Sequence, residues 1–309
     1  HHQDLLLSEH AMRNTLTRIL MTGLLPTAVV VSLLATALAR HLGASMEFVI
    51  LLCSFATLGL AMALERAYPL HTDWNLPRGD TATDWLSFAV LGGVVDPLLK
   101  WASPLIVIAA YSAWATEPTT VWPLENSHWL LQVLLVTLVA ELGKYWGHRM
   151  HHAIPALWWL HALHHGSERL YTLNNFRVHP LEYAIKHALS LLPLMLLGAP
   201  TEALLGYIAL TQPVVMLQHA NLPLRHGWLN WVFSTNALHR WHHSTERGEG
   251  DSNFGSALVL WDQVFGTYRP MGLGEGPARV GLYAGSNYPA RRSFGAQLVS
   301  MCQPDCCKA

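Results

Sequence analysis

Residues 19–39, ILMTGLLPTAVVVSLLATALA, run for about twenty positions without an Asp, Glu, Lys or Arg. At about 1.5 Å of rise per residue, such a run matches the hydrocarbon core of a bilayer. Water is missing there, so the backbone N–H and C=O groups have to pair within the segment itself, and a helix is the form that achieves this. The chain is therefore expected to build a helical membrane fold. Composition agrees: 51% of the 309 residues are hydrophobic and 13% charged, where a soluble domain carries about 25%. A net charge of −1 gives no basic field and argues against nucleic acid as a partner.

Arg40, His41 and Gly43 close the first run, and residues 48–64 form a second, shorter one that ends at Glu65 and Arg66, so the two predict a hairpin. Residues 65–84 are polar, contain Pro69, Pro77 and Gly79, and read as a loop. A third apolar stretch, 85–111, is interrupted by Asp96, Pro97 and Lys100, which predicts a kinked helix or two half-helices with Asp96 and Lys100 paired at i,i+4. The fourth, 129–146, runs directly into His148. Arg13 and Arg18 precede the first run, Arg66 and Arg78 follow the second, and residues 112–128 hold no Lys or Arg. This asymmetry places the N-terminus in the cytoplasm and returns the chain there at His148. Residues 183–197 and 203–217 are each short for a crossing, and Gly198, Ala199 and Pro200 between them predict a short membrane hairpin spanning 183–218. Trp228, Trp231 and Phe233 suggest an interfacial helix.

The expected organisation is thus an N-terminal segment, 1–18, part of it a tag because the chain opens on His1 and His2; transmembrane helices over 19–147; a histidine-rich region over 148–270; and a C-terminal tail over 271–309. No cleavable leader is evident. Cys53 sits in an apolar run, and Cys302, Cys306 and Cys307 crowd the tail, so no disulfide framework is expected.

Thirteen of the 19 histidines lie between His148 and His243. They include HRMHH (148–152), HALHH (161–165) and HRWHH (239–243). Residues three or four apart share a helix face, so His148 with His152, His161 with His164 and His165, and His239 with His242 and His243 each aim at one region, while His151 lies off that face. That makes eight imidazoles, too many for one metal ion. His128, His187 and His226 read instead as ordinary amphipathic histidines. A zinc protease needs HExxH, but Arg149 and Arg240 stand where the Glu would be. A haem with two axial histidines would leave most of the set unused. Two irons explain the count, although imidazole also suits zinc and copper, and zinc can replace iron in an expressed sample.

These boxes, with LWWLHALHHGSE (157–168), FRVHPLE (176–182), QHANLPL (218–224), NFG (253–255) and WDQVFGTY (261–268), resemble the fatty acid hydroxylase and sterol desaturase superfamily of integral-membrane di-iron enzymes. The resemblance covers about residues 141–270. It implies an all-α integral-membrane fold, a four-helix transmembrane bundle with a cytosolic helical cap carrying the histidine boxes. By motif the ligands are His148, His152, His161, His164, His165, His239, His242 and His243, with His219 as the additional histidine between the second and third boxes. His179 is a further candidate, as ligand or as a partner of one. Some members have another histidine four residues after the His219 position; here Pro223 stands there. Glu168, Glu182 and Asp262 are candidates to orient ligand imidazoles, Asp262 alternatively capping a turn, and Asn221 and Asn175 either approach the metals or bond within turns.

The activity implied is an O2-dependent hydroxylation or desaturation of a lipid C–H bond at the metal centre itself, with no separate protein nucleophile. The sequence carries no flavin, nicotinamide or iron–sulfur fingerprint, so electrons are expected from an external donor, a cytochrome b5-like protein or a ferredoxin with its reductase. Arg149, Arg169, Arg177 and Arg240 are candidates to dock an acidic carrier, or to meet lipid head groups or carboxylates near the metals. The competing class is a non-enzymatic membrane metal-binding or metal-transport protein, for which the spans hold few polar residues beyond Asp96, Lys100 and Glu141.

Overall fold

The structure, a computed structural model, describes residues 2–114, 122–289 and 293–302; Cys306 and Cys307 lie outside them. Among the described residues every extended element is a helix, and only two isolated bridges, Phe233 with Leu258 and Ser244 with Val280, pair strand-like backbone.

Four helical segments are long and apolar enough to cross a membrane. They are α1 (His2–Leu42), α2 (Met46–Ala67), α3 (Thr81–Val90) continuing through a π turn (Leu91–Val95) into α4 (Asp96–Trp114), and α5 (Trp129–Ala153). Their outer faces expose Val30, Leu34, Phe48, Leu52, Leu105 and Leu131, side chains that a water-facing helix would replace with polar ones. The expected break in the third segment is the π turn at Gly92 and Gly93. Just beyond it Lys100 pairs with Asp96 at 2.6 Å, as the i,i+4 spacing predicted, and Tyr183 donates to the same carboxylate. Residues 65–84 are more ordered than the loop expected of them. Glu65 is the buried end of α2, and α3 begins at Thr81, so Asp80 and Asp84 face inward to pair with Arg169 and Arg177.

One proline sets the turn that matters most. Pro155 disfavours helical backbone at Ile154, whose ψ of 116° ends α5. The same proline is a good first residue for α6 (Pro155–His165), so the chain folds back at once and lays the second histidine box against the first. The hairpin follows as α7 (Pro180–Ser190), α8 (Leu192–Leu196) and α9 (Thr201–Leu217), turning at Gly198, whose φ of 77° favours glycine. Helix α9 packs against α1, α2 and α5, and α7 crosses α5 at Gly143. A Cβ there would sit 2.1 Å from the Leu189 carbonyl oxygen, so only glycine lets the helices approach this closely.

After α9 come α10 (Asn236–His242), α11 (Arg247–Gly250), α12 (Leu260–Val264) and α13 (Phe294–Leu298). Much of the segment expected to be a tail is packed: Tyr283, Tyr288 and Phe294 are buried against Trp158 and Trp159 of α6. The aromatic spacing there carries no helical or strand period, which is why the sequence did not disclose it.

Candidate metal centre

Because α5 continues about two turns past Trp146, His148 and His152 emerge on one face at the end of a membrane span. Helix α6 brings His161, His164 and His165, α10 and its C-cap bring His239, His242 and His243, and His219 follows directly after α9. All nine are buried. They sort into two groups, His148, His152, His161, His165 and His242 in one, and His164, His219, His239 and His243 in the other. Within each group one ring nitrogen of every residue lies within 4.8 Å of the rest. Neither α6 nor α10 serves a single group. His161 and His165 share a face and His164 turns to the second group, while His239 and His243 join the second and His242 the first. The His165 and His243 rings stack between the groups with centroids 4.3 Å apart.

The outer nitrogens define the inner ones. His148 Nδ1 meets the Phe254 carbonyl at 2.8 Å, His242 Nδ1 the Ser252 carbonyl at 2.8 Å, and His164 Nδ1 the Arg177 carbonyl at 3.2 Å. His161 Nδ1 meets Glu182 Oε1 at 2.7 Å, and His219 Nδ1 meets Asn174 Oδ1 at 2.8 Å. These oxygens only accept, so each hydrogen sits on Nδ1 and each Nε2 presents a lone pair. Yet His148 Nε2 lies 2.9 Å from His161 Nε2, and the chain of close contacts continues from His161 to His165 at 3.1 Å and from His165 to His242 at 3.2 Å. In the second group His239 Nε2 is 3.1 Å from both His219 Nε2 and His243 Nε2. His148 and His161, both with Nδ1 hydrogens committed, face each other lone pair to lone pair and cannot bond. His165, His239 and His243, whose Nδ1 atoms have no partner, can supply one Nε2 hydrogen each, fewer than the close contacts they make, so unbonded lone pairs remain. Protonation does not relieve them, because burial pushes His161, His165, His219, His239, His242 and His243 well below the ordinary imidazole range and His164 down to about 4. A shared cation does relieve them, and an all-imidazole donor set fits iron, zinc or copper. His152 adds a buried Nε2 with no hydrogen-bond partner.

Two buried carboxylates hold this arrangement. Glu182 accepts from His161 and from Lys186 Nζ at 2.6 Å; burial, the largest influence, works to raise its pKa, and the Lys186 charge and hydrogen bond together with the neighbouring His151 and His164 outweigh it and hold the carboxyl below the usual range. Glu141 accepts from Ala257 N at 2.6 Å and Leu258 N at 2.9 Å, which fixes the loop whose Ser252 and Phe254 carbonyls bind His242 and His148.

The remaining candidates fall elsewhere. Asp262 accepts from Phe254 N and Gly255 N, both at 2.7 Å, and touches no histidine; it is the turn cap, and burial raises it to about 6. His179 caps α7 through Leu181 N, Glu168 is exposed, Asn221 bridges to the His71 backbone and Asn75, and Asn175 bonds the Val215 carbonyl. Arg169, Arg177 and Arg240 are buried, so they are not a docking face for a protein carrier; Arg149 is half-buried over Trp146. His226, expected at the interface, is buried against Asn236 Oδ1 at 2.7 Å, whereas His128 is an exposed helix cap and His187 meets Ser103 at 2.8 Å. His151 is buried but stands outside both groups, its Nδ1 on the Gly147 carbonyl. Sequence reasoning missed Asn174, one position before the asparagine it considered, and Asp251 and Tyr283, which bond His152 Nδ1 at 3.2 Å each. It could not have found the Ser252 and Phe254 carbonyls, which any residue supplies.

Paired all-histidine groups able to hold metal ions, at the end of a bundle of membrane-length helices, define a class of histidine-box proteins. Residues 133–267 of the chain match the fatty acid hydroxylase family, in keeping with the resemblance carried by its histidine boxes. The chain is 36% identical over 216 residues to ornithine lipid hydroxylase OlsE of Rhizobium tropici, covering 69% of this chain and 65% of that protein. It is 30% identical over 136 residues to alkylglycerol monooxygenase of Xenopus tropicalis and over 134 residues to the human protein of that name, spanning 30% and 29% of their lengths. No solved structure matches the chain.

Proposed function

We propose that this chain is an O2-dependent lipid hydroxylase whose two histidine groups each hold an iron ion, with His148, His152, His161, His165 and His242 as ligands of one and His164, His219, His239 and His243 of the other. The observation that carries this reading is the pair of Nε2 lone pairs of His148 and His161, facing each other at 2.9 Å among the nine buried histidines of the two groups. Iron bound there would activate oxygen against an unactivated C–H bond; overall, the bond, O2, two electrons and two protons become an alcohol and water. The electrons come from an external donor, a cytochrome b5-like protein or a ferredoxin with its reductase.

The chain's own residues orient and enclose. Glu182, Asn174 and the Ser252, Phe254 and Arg177 carbonyls fix the imidazole tautomers, and the buried cap keeps water from the centre. The site begins where α5 leaves the membrane, so a long apolar molecule can reach it from the bilayer. Both named relatives act on lipids by their names, which supports a lipid substrate and favours hydroxylation over desaturation. The N-terminal end of α1 and the C-terminal ends of α2, α5 and α9 meet at the cap, and with the arginine distribution this supports a cytoplasmic site. Metal transport fits less well, since the groups are held by bonds from every side and the spans offer few polar residues.

Lipid mass spectrometry of cells expressing the protein, set against a His164→Ala/His242→Ala double variant, tests the proposal. Expected is a lipid that gains one oxygen only with the intact histidines, in protein containing iron. A lipid profile unchanged between the two would overturn it.

A further inference from the structure

Among the described residues, two of the three buried arginines have carboxylate partners: Arg169 pairs with Asp80 and Arg177 with Asp84. Arg240 does not. It is 4% exposed, donates from Nη1 to the Glu275 carbonyl at 2.7 Å, and pairs with no carboxylate among the described residues. A guanidinium carries five N–H donors, and buried charges are ordinarily matched by an opposite one. Burial alone acts on Arg240, lowering it to about 10, so it remains charged at neutral pH. Its positive field adds to the burial that holds His226 at about 4 and lowers His71.

Arg240 lines a cavity of about 410 Å³ together with Arg225, His226 and Asn230, floored by Leu222 and Leu224. A neighbouring cavity of about 350 Å³ is lined by Arg18, Met21 and again Arg225, with Pro223 common to both. No acidic residue lines either one. Arg18 immediately precedes the charge-free run 19–39 of α1, which puts this end of the groove at the level of lipid head groups. The groove therefore leads from the bilayer surface to an uncompensated, buried positive charge, past Arg225, His226 and Asn230 on walls otherwise built from residues such as Leu222, Pro223 and Leu224.

We infer that this groove, on the side of α10 away from the metal centre, binds the anionic head group of a membrane lipid, a phosphate or carboxylate on Arg225 and Arg240 with Arg18 at the mouth. Charge-assisted bonds to a planar guanidinium suit such oxyanions. An acidic protein face does not reach Arg240 through a concavity of this size. The assignment holds whether or not the lipid bound there is the one oxidised.

Native mass spectrometry of the detergent-purified full chain tests it, titrating phosphatidylglycerol against phosphatidylcholine, with inorganic phosphate as a third arm. The variant is Arg18→Gln/Arg225→Gln, two exposed positions whose replacement leaves helicity and metal content intact. Expected is about tenfold tighter retention of phosphatidylglycerol than of phosphatidylcholine by the unmodified chain, and loss of that preference in the variant. Equal retention of the two lipids overturns the proposal, as does a preference that survives in the variant. Phosphate binding as tight as phosphatidylglycerol makes this a free-anion site and overturns the lipid assignment. If instead the variant loses an acidic redox protein while keeping its lipid preference, the groove serves a protein and the proposal fails.

Discussion

His148 and His161 face each other with their Nε2 atoms 2.9 Å apart, and each has already committed its Nδ1 hydrogen, one to the Phe254 carbonyl and the other to Glu182. The geometry is unfavourable for two neutral rings alone and favourable for two rings sharing a cation, so much of the metal-binding free energy is also folding free energy. Complete removal of metal by a chelator is expected to lower the unfolding temperature substantially; a site loaded at a thousand times its Kd contributes about 4 kcal/mol. Differential scanning calorimetry before and after chelation checks this. An unchanged melting temperature in demonstrably metal-free protein would count against metal-coupled stability.

The sorting of nine histidines into two groups predicts separable losses. His219→Ala removes a member of the four-histidine group and leaves the other group whole, so metal content should fall from about two ions per chain to about one. His148→Ala should do the same from the other side. Elemental analysis of both variants decides: if either change empties both groups or neither, the grouping is wrong.

How far the sequence could be read depended on what kind of signal each feature leaves. The spans around residues 19–39 and 129–146 were legible because length and absence of charge are local properties, and the histidine groups because spacing along a helix is local too. Their division between two centres was not, since His164 and His165 are neighbours in the chain and part company only when α6 meets α10 and His219 in space. Glu182 was legible as a candidate to orient a ligand imidazole, in the FRVHPLE segment that carries the resemblance. Asp262 looked the same and proved to cap a turn, because whether a carboxylate meets a ring or a backbone N–H is decided by tertiary placement. For Arg169 and Arg177 the sequence left a carrier, lipid head groups and carboxylates open as partners, and the ones they meet, Asp80 and Asp84, stand some ninety residues earlier.

Glu182→Gln keeps an oxygen for His161 Nδ1 but loses the charge that Lys186 and the ring both use. Outer partners of this kind are worth about 10- to 100-fold in metal affinity. The variant should weaken metal binding by that factor, whereas Glu168→Gln, at an exposed position, should leave it unchanged. A competition titration with a chromophoric chelator measures both; equal affinities for the two variants would remove Glu182 from its role.

Gly255 tests the loop that supplies carbonyls to His148 and His242. A Cβ there would lie 2.1 Å from the Leu258 carbonyl oxygen and 2.7 Å from Asp262 Oδ2, so Gly255→Ala forces the backbone of the turn to move. The five-histidine group should lose metal while the four-histidine group, which this loop does not touch, retains it. Gly295→Ala, with nothing within 4 Å of its Cβ, is the control. Full metal content in Gly255→Ala would show that the carbonyls do not orient these rings.

Acidification follows from the depressed histidines, with the sign set by where the protons go. His164 and His226 are lowered to about 4 in the folded chain, against about 6.5 for an exposed imidazole. Their contribution to stability is complete above pH 6.5, and it is lost as pH falls toward 4, because the unfolded chain takes up protons that the folded chain refuses. Each such residue steepens the fall by about 1.4 kcal/mol per pH unit across that window. In metal-loaded protein the ligand rings are additionally tied to the ions, but His226 stands outside both groups, bonded to Asn236. His226→Gln should therefore flatten the decline between pH 6 and 5 by about one proton's worth. Denaturant titrations of the loaded protein at those two pH values measure it, and a decline of undiminished steepness in the variant would show that His226 is not held neutral by its burial.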